Sequence, residues 1–255
     1  MQREGKVQYL KYHQGSVISV SFHPKDRFLF CSGAYDGKVN LYSCQRYEFL
    51  QSYVITSVSL ARNVNAVRFN CEGDRILVST TARKLSVIDV TRGDQILSYD
   101  NCTFNGRDRT GLATDPSNPN IAVSCCVNGR GIALFDLRMQ LPLDFVYDIH
   151  TEVIRDVMFL HGSWPWCSGE TTLVTAAEDG ICRISTMDGR CLHTISANQP
   201  LNAVTITPEL YDSGLDDGFC SLLMMGGSNI CAYVPNEGIK ETHRQNKTAP
   251  IWKLR

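Results

Sequence analysis

Two sets of side chains in this chain have the composition of an acid–base device. His13, Ser32 and Asp36 make one set; His150, Thr175 and Asp179 make the other. An imidazole set between a carboxylate and a hydroxyl is the arrangement that activates a hydroxyl as a nucleophile. That chemistry needs an accessible, convergent site around it, since function resides in sites and not in isolated residue types. The sequence supplies no such surroundings. It has no Gly-x-Ser-x-Gly elbow, no phosphate-cradling glycine loop and no metal-spaced cluster of His, Cys or Asp. A hydrolase is therefore the weakest reading. No catalytic residue, cofactor, metal or small-molecule substrate is expected.

The elements that place these residues recur. The run His13-Gln-Gly-Ser-Val-Ile-Ser-Val-Ser-Phe-His-Pro, followed by Phe28-Leu-Phe-Cys-Ser-Gly-Ala-Tyr-Asp36-Gly-Lys-Val-Asn-Leu-Tyr42-Ser43, returns in worn form along the chain. Segments ending at Tyr42, Ile88, Phe135, Ser185 and Tyr233 lie 46, 47, 50 and 48 residues apart. A period of 40–50 residues holding four short apolar strands is that of a propeller blade. The predicted fold class is all-β: a β-propeller of four-stranded antiparallel blades in one domain over 1–255. Five blades are expected at about 13–53, 60–100, 108–148, 150–196 and 198–246.

Within the first repeat, Val17, Ser19 and Ser21 alternate with Ile18, Val20 and Phe22, which predicts a strand buried on both faces. His23–Asp26 and Ala34–Gly37 read as turns around a strand at Phe28–Ser32, with further strands at Lys38–Tyr42 and Tyr47–Tyr53. The fourth repeat keeps the His-to-Phe interval, His150 to Phe159, and the interval from Thr175 to Asp179. In the second, third and fifth repeats the spacing puts Ala82, Gly129 and Gly227 where Asp36 stands. Val7–Tyr12 reads as an outer strand, and Ala249-Pro-Ile-Trp-Lys-Leu-Arg255 as the start of a sixth inner one. A propeller removes its exposed edges by closing. The expectation is thus part of a larger, seven-bladed ring, incomplete at the C-terminus.

The first repeat resembles a WD repeat, with His13 standing for the histidine of Gly-His and Tyr42-Ser43 for Trp-Asp. In that family a His, a Ser or Thr, an Asp and the strand-end aromatic brace each blade. The resemblance assigns those roles to His13, Ser32, Asp36 and Tyr42, and to His150, Thr175 and Asp179. Ser185 replaces the aromatic in the fourth repeat, so its network should be incomplete. The resemblance also implies a non-enzymatic scaffold that binds other proteins within a larger assembly. Loops at the Asp-bearing turn and at the approach to each inner strand are the expected contacts. They carry Tyr35, Arg62, Arg107, Arg109, Asn128 and Glu178. Arg107 and Arg109 suit a carboxylate or phosphate partner, and an ordinary solvated loop accounts for them equally well. Trp164 and Trp166, in a Gly/Ser/Pro-rich insertion, either bind a partner or fold back on the blade edge. Phe135-Asp136-Leu137-Arg138 resembles the Trp-Asp-x-Arg ending of WD-repeat receptors in cullin-4 ubiquitin ligases, where the Arg contacts the adaptor. A ligase receptor is the runner-up reading.

Composition sets the remaining bounds. Of 255 residues, 43% are apolar and 20% charged, with a formal net charge of −1. That balance gives no field favouring nucleic acid or an anionic membrane. No run approaches the ~18 apolar residues of a membrane span. Met1–Val7 is polar, without the apolar core of a secretory signal. Eleven cysteines with no Cys-x-x-Cys pair read as reduced, structural thiols, and Cys31, Cys125, Cys182 and Cys231 hold strand positions where Val or Ala would fit. A cytoplasmic or nuclear location is expected. Asn101-Cys-Thr and Asn246-Lys-Thr are then chance glycosylation patterns.

Overall fold

The computed structural model of the chain describes residues 8–55, 63–106, 110–160, 170–207, 210–211, 219–220, 223–234 and 238–241. Short runs rich in Val, Ile, Leu and aromatic residues, separated by Gly, Asp, Asn and Pro, form strands and turns, with no helix among the described residues. Sheet 1 is β1 (Val17–Phe22), β2 (Leu29–Ala34), β3 (Lys38–Ser43) and β4 (Glu48–Val54). Sheet 2 is β5 (Val64–Phe69), β6 (Arg75–Thr80), β7 (Lys84–Asp89) and β8 (Gln95–Tyr99). Sheet 3 is β9 (Leu112–Thr114), β10 (Ile121–Cys125), β11 (Ile132–Asp136) and β12 (Asp144–Val146). Sheet 4 is β13 (Ile154–Leu160), β14 (Thr172–Ala177), β15 (Ile181–Thr186) and β16 (Cys191–Ser196). After β17 (Ala203–Ile206) a two-stranded ribbon intervenes, β18 (Leu210–Tyr211) with β19 (Phe219–Cys220). Sheet 5 is then completed by β20 (Leu223–Gly226), β21 (Ile230–Val234) and β22 (Gly238–Glu241). Each four-stranded sheet is an antiparallel meander in chain order, the construction of a propeller blade.

One hairpin turn joins the second and third strands of four sheets. Gly37 N donates to Ala34 O with Gly37 at φ 76°. Arg83, Gly129 and Gly180 repeat that bond to Thr80, Cys126 and Ala177, at φ 60°, 78° and 76°. Glycine takes this left-handed geometry freely, whereas a side chain such as that of Arg83 costs about 1 kcal/mol there. The turn corrects two positions expected from spacing. Gly129 is the counterpart of Gly37, so Asn128 stands in the place of Asp36. One extra residue between that turn and Phe135 shifts the count. In sheet 5, only three residues separate the paired Gly226 and Ile230, against five between Gly33 and Val39. That turn is shorter by two residues, and Gly227 is no counterpart of Asp36.

The core is divided into four junctions between successive sheets. Cys31, Val39, Leu41 and Tyr53 of sheet 1 pack on Val67, Phe69, Ile76, Val78 and Ile88 of sheet 2. Comparable clusters join sheets 2 and 3 around Leu85, Val87 and Phe135, sheets 3 and 4 around Val123, Val157 and Leu173, and sheets 4 and 5 around Val174, Ile184, Met225 and Tyr233. Each fully buried aliphatic side chain contributes about 1.5–3 kcal/mol. Polar fasteners supplement this packing: Val67 N donates to Ser19 Oγ at 3.1 Å, Phe69 N to Ser21 Oγ at 3.2 Å, and Val204 N to an Asp156 carboxylate oxygen at 3.2 Å.

These fasteners reverse the expectation for β1. Its serines face sheet 2, and its apolar side is open, with Val20 48% and Phe22 64% exposed. The strand is buried on one face only.

Candidate functional site

The loop that leads into β1 and the hairpin between β2 and β3 meet at one end of sheet 1. His13 ties them together. Its Nδ1 lies 3.0 Å from Asp36 Oδ2 and its Nε2 2.7 Å from Ser32 Oγ. With the ring proton on Nδ1, the imidazole donates to the carboxylate and accepts from the serine hydroxyl. Asp36 also accepts from Gln14 N at 2.8 Å and Lys38 N at 3.1 Å. Burial alone pushes the Asp36 carboxyl up, but the bonds from Gln14, His13 and Lys38 outweigh it and hold the group below its usual range. Ser32 Oγ lies 3.5 Å from the Tyr42 hydroxyl, which accepts from Asn40 Nδ2 at 3.1 Å. Asn40 completes this set without belonging to the motif by which the other members are recognised.

Sheet 4 repeats the geometry. His150 Nδ1 is 3.0 Å from Asp179 Oδ2, and Nε2 is 2.8 Å from Thr175 Oγ1. Thr151 N and Ile181 N donate to the same carboxylate. The His150 side chain is fully buried. Burial, joined by the nearby Arg183 charge, lowers its pKa by more than Asp179 raises it, which favours the neutral ring. The network stops at Thr175: Ser185 Oγ is buried without a hydrogen-bond partner among the described residues.

Two other sheets brace the same end differently. In sheet 5, Gln199 Oε1 accepts from Asn229 N at 2.9 Å and from Ser228 Oγ at 3.1 Å, while its Nε2 donates to Asn229 O at 2.9 Å. A primary amide thus does what an imidazole does in sheets 1 and 4, and no motif in the sequence marks it. In sheet 3 the Phe104 ring lies against the turn at Gly129, where an added Cβ would come within 3.0 Å of it. Asn128 accepts from Arg130 N at 2.9 Å, as Asp36 accepts from Lys38 N.

The remaining candidates separate. Tyr35 and Glu178 are half-buried at the braced end, with the Glu178 carboxylate held by Arg155 Nε at 2.8 Å. Arg62, Arg107, Arg109, Trp164 and Trp166 lie outside the described residues. Phe135 is fully buried in the junction of sheets 2 and 3, its ring 5.0 Å from Tyr99, so it offers nothing to an adaptor. Arg138 is 67% exposed but turns back on Asp136, with Nε 2.9 Å from Oδ1. That pairing, with burial opposing it, holds the Asp136 carboxyl low.

Both histidine sets are buried and fully engaged, with side-chain exposures of 7% or less. Among the described residues no group of His, Cys, Asp and Glu is arranged to hold a metal. Burial pushes the thiols of Cys31, Cys102 and Cys182 up to about 12, far from the thiolate form at neutral pH.

Residues 5–43 match the family model described as WD domain, G-beta repeat. The match covers His13, Ser32, Asp36 and Tyr42 together. With the antiparallel four-stranded sheets, it defines an all-β fold of the β-propeller kind. No curated protein matches the chain. WD repeats mark a domain of the protein-interaction scaffold kind, one that is typically non-enzymatic.

Proposed function

We propose that this protein is a non-enzymatic scaffold that binds protein partners, within a larger assembly, through the braced end of its sheets. The observation that supports this most is the recurrence of the brace by different chemistry. Histidine in sheets 1 and 4 and glutamine in sheet 5 each tie an approach loop to its neighbouring turn. Loops held in one conformation lose little entropy on binding, so their contacts convert efficiently into affinity. Tyr35 and Glu178 sit on those turns, and tyrosine is a favoured interface anchor.

The test is quantitative co-purification of partners with wild type and with the double variant Tyr35→Ala/Glu178→Ala. Partner recovery should fall about tenfold or more at a temperature where circular dichroism shows the variant still folded. An unaltered partner set would reject the braced end as the binding face.

A second reading, a substrate receptor of a cullin-4 ligase, rests on the exposure of Arg138. Its guanidinium would have to leave Asp136 to meet an adaptor. Arg138→Glu should then abolish adaptor recovery while the fold persists. Equal recovery from both proteins, or none from either, removes this reading, and absence from both is the expected result.

A further inference from the structure

Asparagine is among the chemically labile residues, and a following glycine exposes it most. With no Cβ, the glycine nitrogen is unhindered and its backbone turns easily toward the asparagine side chain. The chain has two such pairs, Asn105-Gly106 and Asn128-Gly129. They meet at the same end of sheet 3, where the Phe104 ring lies between the two glycines. An added Cβ would come within 2.6 Å of that ring at Gly106 and within 3.0 Å at Gly129.

The structure treats the two asparagines in opposite ways. Asn128 is held at both ends of its amide. Its Oδ1 accepts from Cys126 Sγ at 2.8 Å and Arg130 N at 2.9 Å, and its Nδ2 donates to Asp148 Oδ1 at 3.3 Å. The nitrogen that would attack it, Gly129 N, donates to Cys126 O at 2.9 Å. Asn105 is exposed, and among the described residues no hydrogen bond holds its side chain or the Gly106 nitrogen.

We propose that Asn105-Gly106 is a modification site, where asparagine converts to aspartate and isoaspartate without an enzyme, with water as co-reactant. Gly106 N gives up its proton and bonds to Asn105 Cγ, closing a cyclic imide. The Cγ–Nδ2 bond breaks, and Nδ2 leaves as ammonia, carrying its own protons and the one from Gly106. Water then opens the imide at either carbonyl. Both products put a carboxylate in the loop that approaches β9. Isoaspartate also lengthens the main chain by one carbon beside Phe104, the residue that braces this sheet. The chemistry needs no partner, so it stands or falls apart from the binding role of this end.

Peptide mass spectrometry of the full chain, aged while folded at neutral and mildly alkaline pH, tests this. Isoaspartyl methyltransferase with labelled S-adenosylmethionine marks the isoaspartate. Position 105 should show the mass of the acid and take the label, faster at the higher pH because the attacking nitrogen must lose its proton. Position 128 should convert about tenfold or more slowly, since its hydrogen bonds must open first. In denaturant, where those bonds are gone, the difference should shrink. Asn105→Gln should remove the label from that position. An unmodified Asn105, or equal conversion of both positions in the folded chain, overturns the proposal. So does a difference that persists undiminished in denaturant, which would mean that the fold does not set it.

Discussion

His150 and Asp179 show how a buried imidazole and carboxylate can stabilise a loop without reacting. Burial lowers the pKa of His150 below its ordinary 6.5, while Asp179 is held below 3.8 because hydrogen bonds and the nearby ring outweigh its own burial. Both shifts have the same consequence for stability. A group with a depressed folded-state pKa binds fewer protons than in the unfolded chain, so stability is lost as pH falls. For His150 that contribution is full above pH 6.5 and is lost as pH drops through the folded value. For Asp36 and Asp179 the loss comes below 3.8. The melting temperature should therefore decline between pH 7 and 5, and His150→Gln should flatten that slope. An identical slope in the variant would show that His150 is not the titrating group. Separately, Asp36→Ala leaves His13 and the amides of Gln14 and Lys38 without their acceptor. It should destabilise the fold by about 1–3 kcal/mol, read by denaturant or thermal unfolding. An unaltered unfolding transition would contradict the brace. The histidine networks were legible through the resemblance of the first repeat to a WD repeat and the four-residue interval from hydroxyl to Asp that the fourth repeat keeps. Asn40 and Gln199 were not, since an amide side chain carries no signature of what it will bond.

At the scale of the strand and the sheet, close approach matters as much as pattern. Gly33 faces sheet 2, where an added Cβ would lie 2.4 Å from Val64 Cγ1 and 2.7 Å from Val67 Cγ1. Gly33→Val should separate sheets 1 and 2 and destabilise by about 1–3 kcal/mol, the usual penalty for overpacking. A variant as stable as wild type would show that this junction is looser than described. Strand positions could be read from runs of apolar residues between turn formers, and the five hairpin meanders follow them closely. Turn lengths could not. An extra residue in sheet 3 and two missing residues in sheet 5 leave the apolar pattern untouched, because the change falls inside polar loops. The direction in which β1 faces was hidden for a different reason. Serine hydroxyls that accept inner-strand amides look, in sequence, like the solvent side of a strand.

For the whole molecule, the repeat period carried the architecture because successive sheets pack on one another at four junctions, which asks for a similar strand pattern each time. Function is less legible, since partner contacts depend on loop side chains that the fold does not dictate. The central claim is that the braced end, not the opposite turns or the outer strands, receives partners. Hydrogen–deuterium exchange of the chain with and without a co-purified partner tests it most directly. Binding should slow exchange at residues 13–16, 34–38, 126–130, 150–153 and 177–180, with little change at the opposite turns, 23–28, 70–74 and 115–120. Protection confined to those opposite turns, or to the outer strands β4, β8, β12 and β16, would contradict the account.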